Sequence, residues 1–287
     1  MRLSHNLASL NAFRNYSKVL SEQSTALDKI TSGYKVRCSK DDPNVMVQSE
    51  KTKIQIRGLQ MASRNAQDGV SMLQTADGSL ENIGNMLMRI KELTLQASNG
   101  TNNLEDQEVI QNEINELISG IDSMAKNTEF NGVELLSQGN KFSNANTMTK
   151  IMPIGANAGE VVNIPFYDLT ADGLEINGEI NVTDKNKLEK SFGIINNAID
   201  TVLSVRSEYG ALSNRFEECM NNIAEISLKM EGANSELVDA DVAEEMMNYA
   251  KSDILYQSSI AIMRQTNNFP IDILSLIHIS EPTRHSL

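Results

Sequence analysis

"RNAQDGVSMLQTADGSLENIGNMLMRIKELTLQASNG", residues 64–100, holds three glycines before its last residue, no proline, and many Asn, Gln and Ser. It nonetheless reads as one long helix. Positions 59, 62, 66, 69, 73, 76, 80, 83, 87, 90, 94 and 97 are Leu, Ala, Ala, Gly, Leu, Ala, Leu, Ile, Leu, Ile, Thr and Ala. The spacing alternates four and three without a break, the signature of a coiled-coil seam. A sparser stripe of Met72, Met86 and Leu93 predicts a neighbour on a second side. The small seam residues Ala62, Ala66, Gly69 and Ala76 let helices approach closely. Helix interiors reject proline, and Pro43, Pro153, Pro165, Pro270 and Pro282 leave 44–99, 104–128 and 186–233 free of it. At ~1.5 Å per residue the first span is about 80 Å long. Such a rod is a building block, since no compact active site needs that length.

Working outward, Asn99-Gly100 reads as a helix end with a left-handed cap residue. Asn103 and Asp106 are placed to cap the next helix, which carries Ile110, Ile114, Leu117, Ile121 and Met124. The short turn predicts antiparallel neighbours. From Phe130 to Asp184 the texture changes. "FNGVELLSQGN", "PIGANAGEVVNIPFYD" and "LEINGEINVTD" join Gly/Asn turns to β-prone runs and read as hairpins. A third long helix has a stripe of Leu188, Phe192, Ile195, Ile199 and Val202. A second stripe holds Tyr209, Leu212, Phe216, Cys219, Ile223, Ile226 and Met230, offset by a three-residue slip near Val202 to Val205.

Both ends of the chain are amphipathic. Leu3, Leu7 and Leu10 are followed by Phe13, Leu20, Leu27 and Ile30. Positions 255, 259, 262, 266, 269, 273 and 276 are Leu, Ser, Ile, Thr, Phe, Ile and Leu. Isolated helices of this kind are marginal in water, so the ends must pair with each other, with another chain, or with both. The fold expected is mainly α: a long antiparallel helical rod with a small β-hairpin region.

Composition narrows the function. The chain has 287 residues and a net charge of −13, which opposes binding to nucleic acid or to anionic membranes. Aromatics are 5%, with no Trp, as expected of thin helical packing. No apolar run is long enough to span a bilayer. The first residues lack the apolar stretch of a cleaved signal peptide, leaving a cytosolic protein or export by a dedicated machine. Cys38 and Cys219 suit two free thiols or one long-range disulfide, and no Cys/His cluster signals zinc. His5, His278 and His285 do not supply the HExxH spacing of a zinc protease, and "NGTNN" is a helix–helix turn rather than a phosphate loop. Cys219 on an apolar stripe reads as core packing. No enzyme activity, cofactor or metal is expected. Asn15, Asn99 and Asn181 each begin a glycosylation sequon, a pattern short enough to arise by chance.

The chain resembles bacterial flagellin over nearly its whole length. The match is carried by "HNLASLNAFRN", "LDKITSGYKV", "QIRGLQMASRNAQDGVSMLQTADGSL", "MRIKELTLQASNGT", "FNGVELL", "IGANAGE", "ELVDADVAEEM", "ILYQSSIAIMRQTNN" and "ILSLI", in that order. The resemblance implies a short form lacking large outer domains. Residues 1–43 would be the N-terminal inner-tube helix and connector, 44–235 the rod, and 236–277 the C-terminal inner-tube helix, the two end helices forming a second coiled-coil layer. The family pattern ends near Ile277, and 278–287 reads as a non-native tail. "DDPNVMVQS" at 41–49 stands where the family has an Ala-rich run, and a cysteine such as Cys38 is unusual there.

The implied function is a structural subunit that self-assembles into the extracellular flagellar filament for motility, exported without a cleaved signal. Polymerisation then falls on Leu3, Leu7, Leu10, Leu20, Leu27, Leu255, Ile262, Phe269 and Leu276. A flagellar export chaperone, the filament cap and Toll-like receptor 5 are the further partners implied. The family's receptor-binding residues fall on Arg89, Leu93 and Glu113. Met88 stands where a glutamine is usual. Arg89 and Leu93 share a face off the seam, free on this reading to meet a partner. The competing readings are a hook–filament junction protein, which shares terminal helices, and a helical enzyme or binding module.

Overall fold

The computed structural model describes residues 6–99, 102–138, 148–184 and 187–279, without the side chains of 269–270, 272–274 and 276–279. Its elements are helix α1 (Leu7–Ser32), α2 (Pro43–Ala97), α3 (Leu104–Asn127), strands β1 (Glu129–Phe130), β2 (Val133–Glu134), β3 (Met148–Pro153) and β4 (Val161–Phe166), then α4 (Leu188–Val238) and α5 (Val242–Ile279). Mainly α architecture is therefore what the residues build. The chain forms two compact units, one from 1–53 with 231–287 and one from 54–230, so both divisions fall inside a helix.

In the 54–230 unit, every residue of the quoted seam from Leu59 to Ala97 is buried. The polar seam member Thr94 is tolerated because its hydroxyl donates to the Ile90 carbonyl at 2.8 Å. α3 lies antiparallel along α2: Gln107 donates to the Ala97 carbonyl and Gly120 faces Met86. Asn103 and Asp106 form the expected capping box. Gly100, read as the cap residue, lies outside the described residues. α4 runs antiparallel on the other side of α2, with Phe216 against Gly69 and Val202 against Gly84. A Cβ at Gly69 would lie 2.7 Å from the Met152 sulfur and 3.3 Å from the Phe216 ring, so a larger residue there has to displace the Met152 side chain.

Two expectations are corrected here. The α4 seam has no slip: Ser191, Ile195, Ala198, Val202, Val205 and Tyr209 are buried, and the three–four alternation passes on through Phe216 to Ile223. Ala198, not the bulkier Ile199, occupies the seam, since the closely approaching helices admit the smaller side chain. Ile226, placed on the stripe by spacing, is exposed.

The hairpins differ too. β1 and β2 pair through Asn131-Gly132, both at positive φ, and β3 pairs antiparallel with β4. "LEINGEINVTD" forms no strand. Leu174, Ile176, Ile180 and Val182 are buried, but turn bonds hold the backbone, as in Leu174 N–H to Thr170 and Ile176 N–H to Ala171. The Gln111 amide of α3 bonds both Ile180 and Val182. Polar groups from a helix thus replace the partner strand.

Candidate assembly and recognition surfaces

In the unit of 1–53 and 231–287, α1 and α5 pair antiparallel. Asn6 donates to the Thr266 carbonyl at 2.9 Å, Gln23 to Asp253 at 3.2 Å, and Lys29 to Glu245 at 2.8 Å. The rings of Tyr16 and Tyr256 meet at 5.2 Å. The covered face of α1 is Ser9, Ala12, Tyr16, Val19, Gln23, Ala26 and Ile30. That of α5 is Glu245, Tyr249, Ser252, Tyr256, Ser259, Met263 and Thr266. Both alternate three and four, so this is a coiled coil with a small and largely polar seam.

The connector returns the chain. Gly33 adopts a left-handed φ of 74° at the end of α1, and Lys35 donates to the Val238 carbonyl. Asp41 closes the next turn by accepting from the Arg37 and Cys38 amides and the Cys38 thiol, which holds its carboxyl below the usual range. Asp241 caps α5 through the Ala243 amide. Ser49 and Asn234 bond to each other at 2.8 Å.

The residues expected to polymerise lie outside that seam. Leu7, Leu10, Leu20, Leu27, Leu255 and Ile262 are between 42% and 68% exposed. Leu3 is outside the described residues, as are the side chains of Phe269 and Leu276. Ser259 and Thr266, counted on the α5 stripe by spacing, instead face α1. Sequence reasoning missed the seam because it followed leucines. The signal that finds it is the three–four recurrence of Ala, Ser, Tyr and Gln.

On the α2–α3 surface, Arg89 reaches Glu113 at 3.0 Å and Glu92 at 3.4 Å. Glu113, and then Glu92, raise the already high pKa of the guanidinium. Both partners of the Arg89–Glu113 pair are about half exposed, and Met88 beside them is exposed. Leu93 is not: at 2% exposure it packs in the core. The expectation of a free Leu93 is corrected, because α3 covers the side of α2 that the seam leaves open. Glu92 was missed, although its i,i+3 spacing from Arg89 marks it.

Both cysteines are free thiols. Cys38 is exposed, and burial raises the pKa of the half-buried Cys219. Among the described residues no His, Cys, Asp and Glu cluster suits a metal ion, and no helix is long and apolar enough to cross a membrane.

The end helices thus pair through one face and leave apolar side chains exposed on others. The comparisons narrow the class. Residues 3–141 match the bacterial flagellin N-terminal helical region and 192–277 the C-terminal helical region. The chain is 34% identical to the flagellin of Halalkalibacterium halodurans and 35% identical to that of Bacillus subtilis, in each case over 96% of this chain and 100% of the relative. It belongs to the bacterial flagellin family, the structural proteins of the flagellar filament. The solved structure of a protein assigned as flagellar hook-associated, from Vibrio parahaemolyticus, is 17% identical with a TM-score of 0.57, over 69% of this chain and 100% of that one. That likeness shows a shared fold alone.

Proposed function

We propose that this chain polymerises into a flagellar filament through its terminal coil. The observation that carries the reading is the exposure of Leu7, Leu10, Leu20, Leu27, Leu255 and Ile262 on helices already paired through a different face. Full burial of one such side chain stabilises by roughly 1.5–3 kcal/mol, so covering the remainder is worth several kcal/mol per subunit. Micrometre-long filaments of the purified chain in negative-stain micrographs support the reading. Short oligomers would instead favour a junction protein. A flagellar export chaperone and the filament cap, implied by the family resemblance, are the further partners on this reading.

The free monomer is also a ligand for Toll-like receptor 5 on this reading, through Arg89, Glu113 and Met88, with Leu93 supporting the surface from beneath. The Arg89–Glu113 pair supports it by holding the guanidinium on an exposed face. Interface arginines often lose ~2 kcal/mol or more on truncation. Arg89→Ala should weaken binding to the receptor ectodomain at least roughly tenfold in surface plasmon resonance, with unchanged helicity. Equal affinities would remove the receptor from the list of partners.

A further inference from the structure

A pair of tyrosines meets across the seam of the terminal coil. Tyr16 of α1 and Tyr256 of α5 have ring centroids 5.2 Å apart and planes tilted by 32°. Both rings are half-buried, held by the seam and still open to small solutes at their edges. The Tyr16 hydroxyl bonds to that of Tyr256, and this bond, ahead of burial, raises its pKa. Phe13 stacks on Tyr16 at 6.2 Å. Bonds on either side keep the helices in register, Gln23 to Asp253 at 3.2 Å and Asn6 to the Thr266 carbonyl at 2.9 Å.

The other tyrosines stand differently. Tyr167 and Tyr209 have ring centroids 6.4 Å apart, but both are buried. Their hydroxyls are engaged by other groups, Tyr167 donating to Glu208 at 2.7 Å and Tyr209 to the Pro165 carbonyl at 3.1 Å. Tyr34 is exposed and Tyr249 is half-buried on the α5 seam, and neither meets another tyrosine ring among the described residues. Accessible rings in contact, with hydroxyls bonded to each other, are therefore found at Tyr16 and Tyr256.

We propose that Tyr16 and Tyr256 form a site of oxidative cross-linking, at which a one-electron oxidant couples the two rings into dityrosine and staples α1 to α5 within one chain. Each phenol gives one electron to the oxidant and one proton to water, leaving a phenoxyl radical with unpaired spin on the carbons ortho to its oxygen. The two radicals join by a carbon–carbon bond between ortho positions. The hydrogens on those carbons then move to the oxygens through water and restore both aromatic rings. The chain loses two hydrogen atoms in all, and two electrons pass to the oxidant, whose class is a haem peroxidase charged with peroxide or a photo-oxidised metal complex. Radicals formed on separate molecules must meet by diffusion. Here the seam holds the rings together, so rotation of a side chain replaces the encounter. The new bond closes a loop over most of the chain, and a cross-link across a long loop restricts the opened state most. It reinforces a seam whose own hydrophobic gain is small, whether or not the chain polymerises.

The test uses the full-length monomer, kept below the concentration at which it assembles and mixed with an equal amount labelled with heavy nitrogen. Brief illumination with a ruthenium tris-bipyridine complex and persulfate supplies the oxidant. The intact mass should fall by two hydrogens and dityrosine fluorescence should appear. Digestion should release a cross-linked peptide joining the Tyr16 and Tyr256 segments, both halves labelled or both unlabelled. Tyr16→Phe and Tyr256→Phe each keep a ring in the seam, so their circular dichroism should match the parent while the peptide vanishes. Tyr167→Phe should leave it in place. In the stapled chain a protease should cut the terminal helices several-fold more slowly than in Tyr16→Phe treated alike. Peptides of mixed labelling would put the bond between copies and overturn the proposal, as would undiminished dityrosine in Tyr16→Phe. Products at Tyr34 or Tyr249 with Tyr16 and Tyr256 recovered intact overturn it equally.

Discussion

The two units use apolar side chains in opposite ways. In 54–230 the strongest stripe of the sequence is the one the chain buries: Leu73, Leu80, Ile83, Leu87 and Ile90 are all closed off from solvent. In the paired α1 and α5 helices the strongest stripe stays outside, and Ala, Ser, Tyr and Gln fill the seam. The first pattern specifies how one chain folds. The second holds two helices in register with limited hydrophobic gain and leaves an apolar surface that, on the proposed filament reading, is covered between copies. Polar seam contacts suit that task, because Gln23–Asp253 and Lys29–Glu245 fix alignment while contributing modestly to stability.

The largest effect that tests this division is removal of one arm of the coil. Deleting 1–40 or 236–287 should abolish polymerisation while the remaining unit keeps its helical signal. Filaments from either truncated chain, seen by electron microscopy, would break the comparison. In the intact monomer, limited proteolysis should cut the terminal helices before any site in 54–230, since a small polar seam opens at lower free energy than an apolar one.

Single substitutions sharpen the contrast. Leu87→Ala empties a fully buried site and should cost about 2–5 kcal/mol in thermal or denaturant unfolding. Leu20→Ala removes a half-exposed side chain and should change monomer stability by less than about 0.5 kcal/mol. In assembly the order reverses: Leu20→Ala should raise the concentration needed for polymerisation, measured by light scattering, even though the monomer is intact. Equal costs at both sites in the monomer would show that α1 buries its leucines after all.

The same contrast explains what could be read from sequence. The α2 seam was legible residue by residue, because its apolar residues and its buried residues are the same set. The register of α4 was misread at Ile199, where hydropathy favours the larger residue and close helix packing favours Ala198. The α1–α5 pairing was foreseen, but not its face, since Ser252, Tyr256 and Gln23 carry no hydropathy signal. The second stripe of Met72, Met86 and Leu93 implied a neighbour on that side, and Leu93 is buried there; what fails is the role carried over from the family, which needed Leu93 free. The run 174–182 shows a similar limit: its alternation implied strands, and only tertiary bonds from Gln111 reveal a packed loop.

The smallest predicted effect concerns acid, and it asks whether burial or hydrogen bonding holds each part of the molecule. Asp41 is held below its usual pKa by the Arg37 amide first, then by the Cys38 thiol and amide. Glu160, in the turn between β3 and β4, is lowered by the Asn157 side chain first and then by the Asn157 backbone. Both carboxylates are depressed in the folded state, so the stability they contribute is fully present above their unfolded pKa values, roughly 4. It is lost as the pH falls through the lower, folded values. The buried α2 seam holds no such group. Between pH 5 and pH 2.5, amide protection factors should therefore drop at Arg37, Cys38 and Asn157, while those along Leu80 to Ile90 fall later and together. Asp41→Asn should remove the acid step at Arg37 and Cys38 and leave the one at Asn157 in place. Simultaneous loss of protection at the turns and the seam would show that acid unfolds the chain as a whole, with no separate layer held by polar contacts.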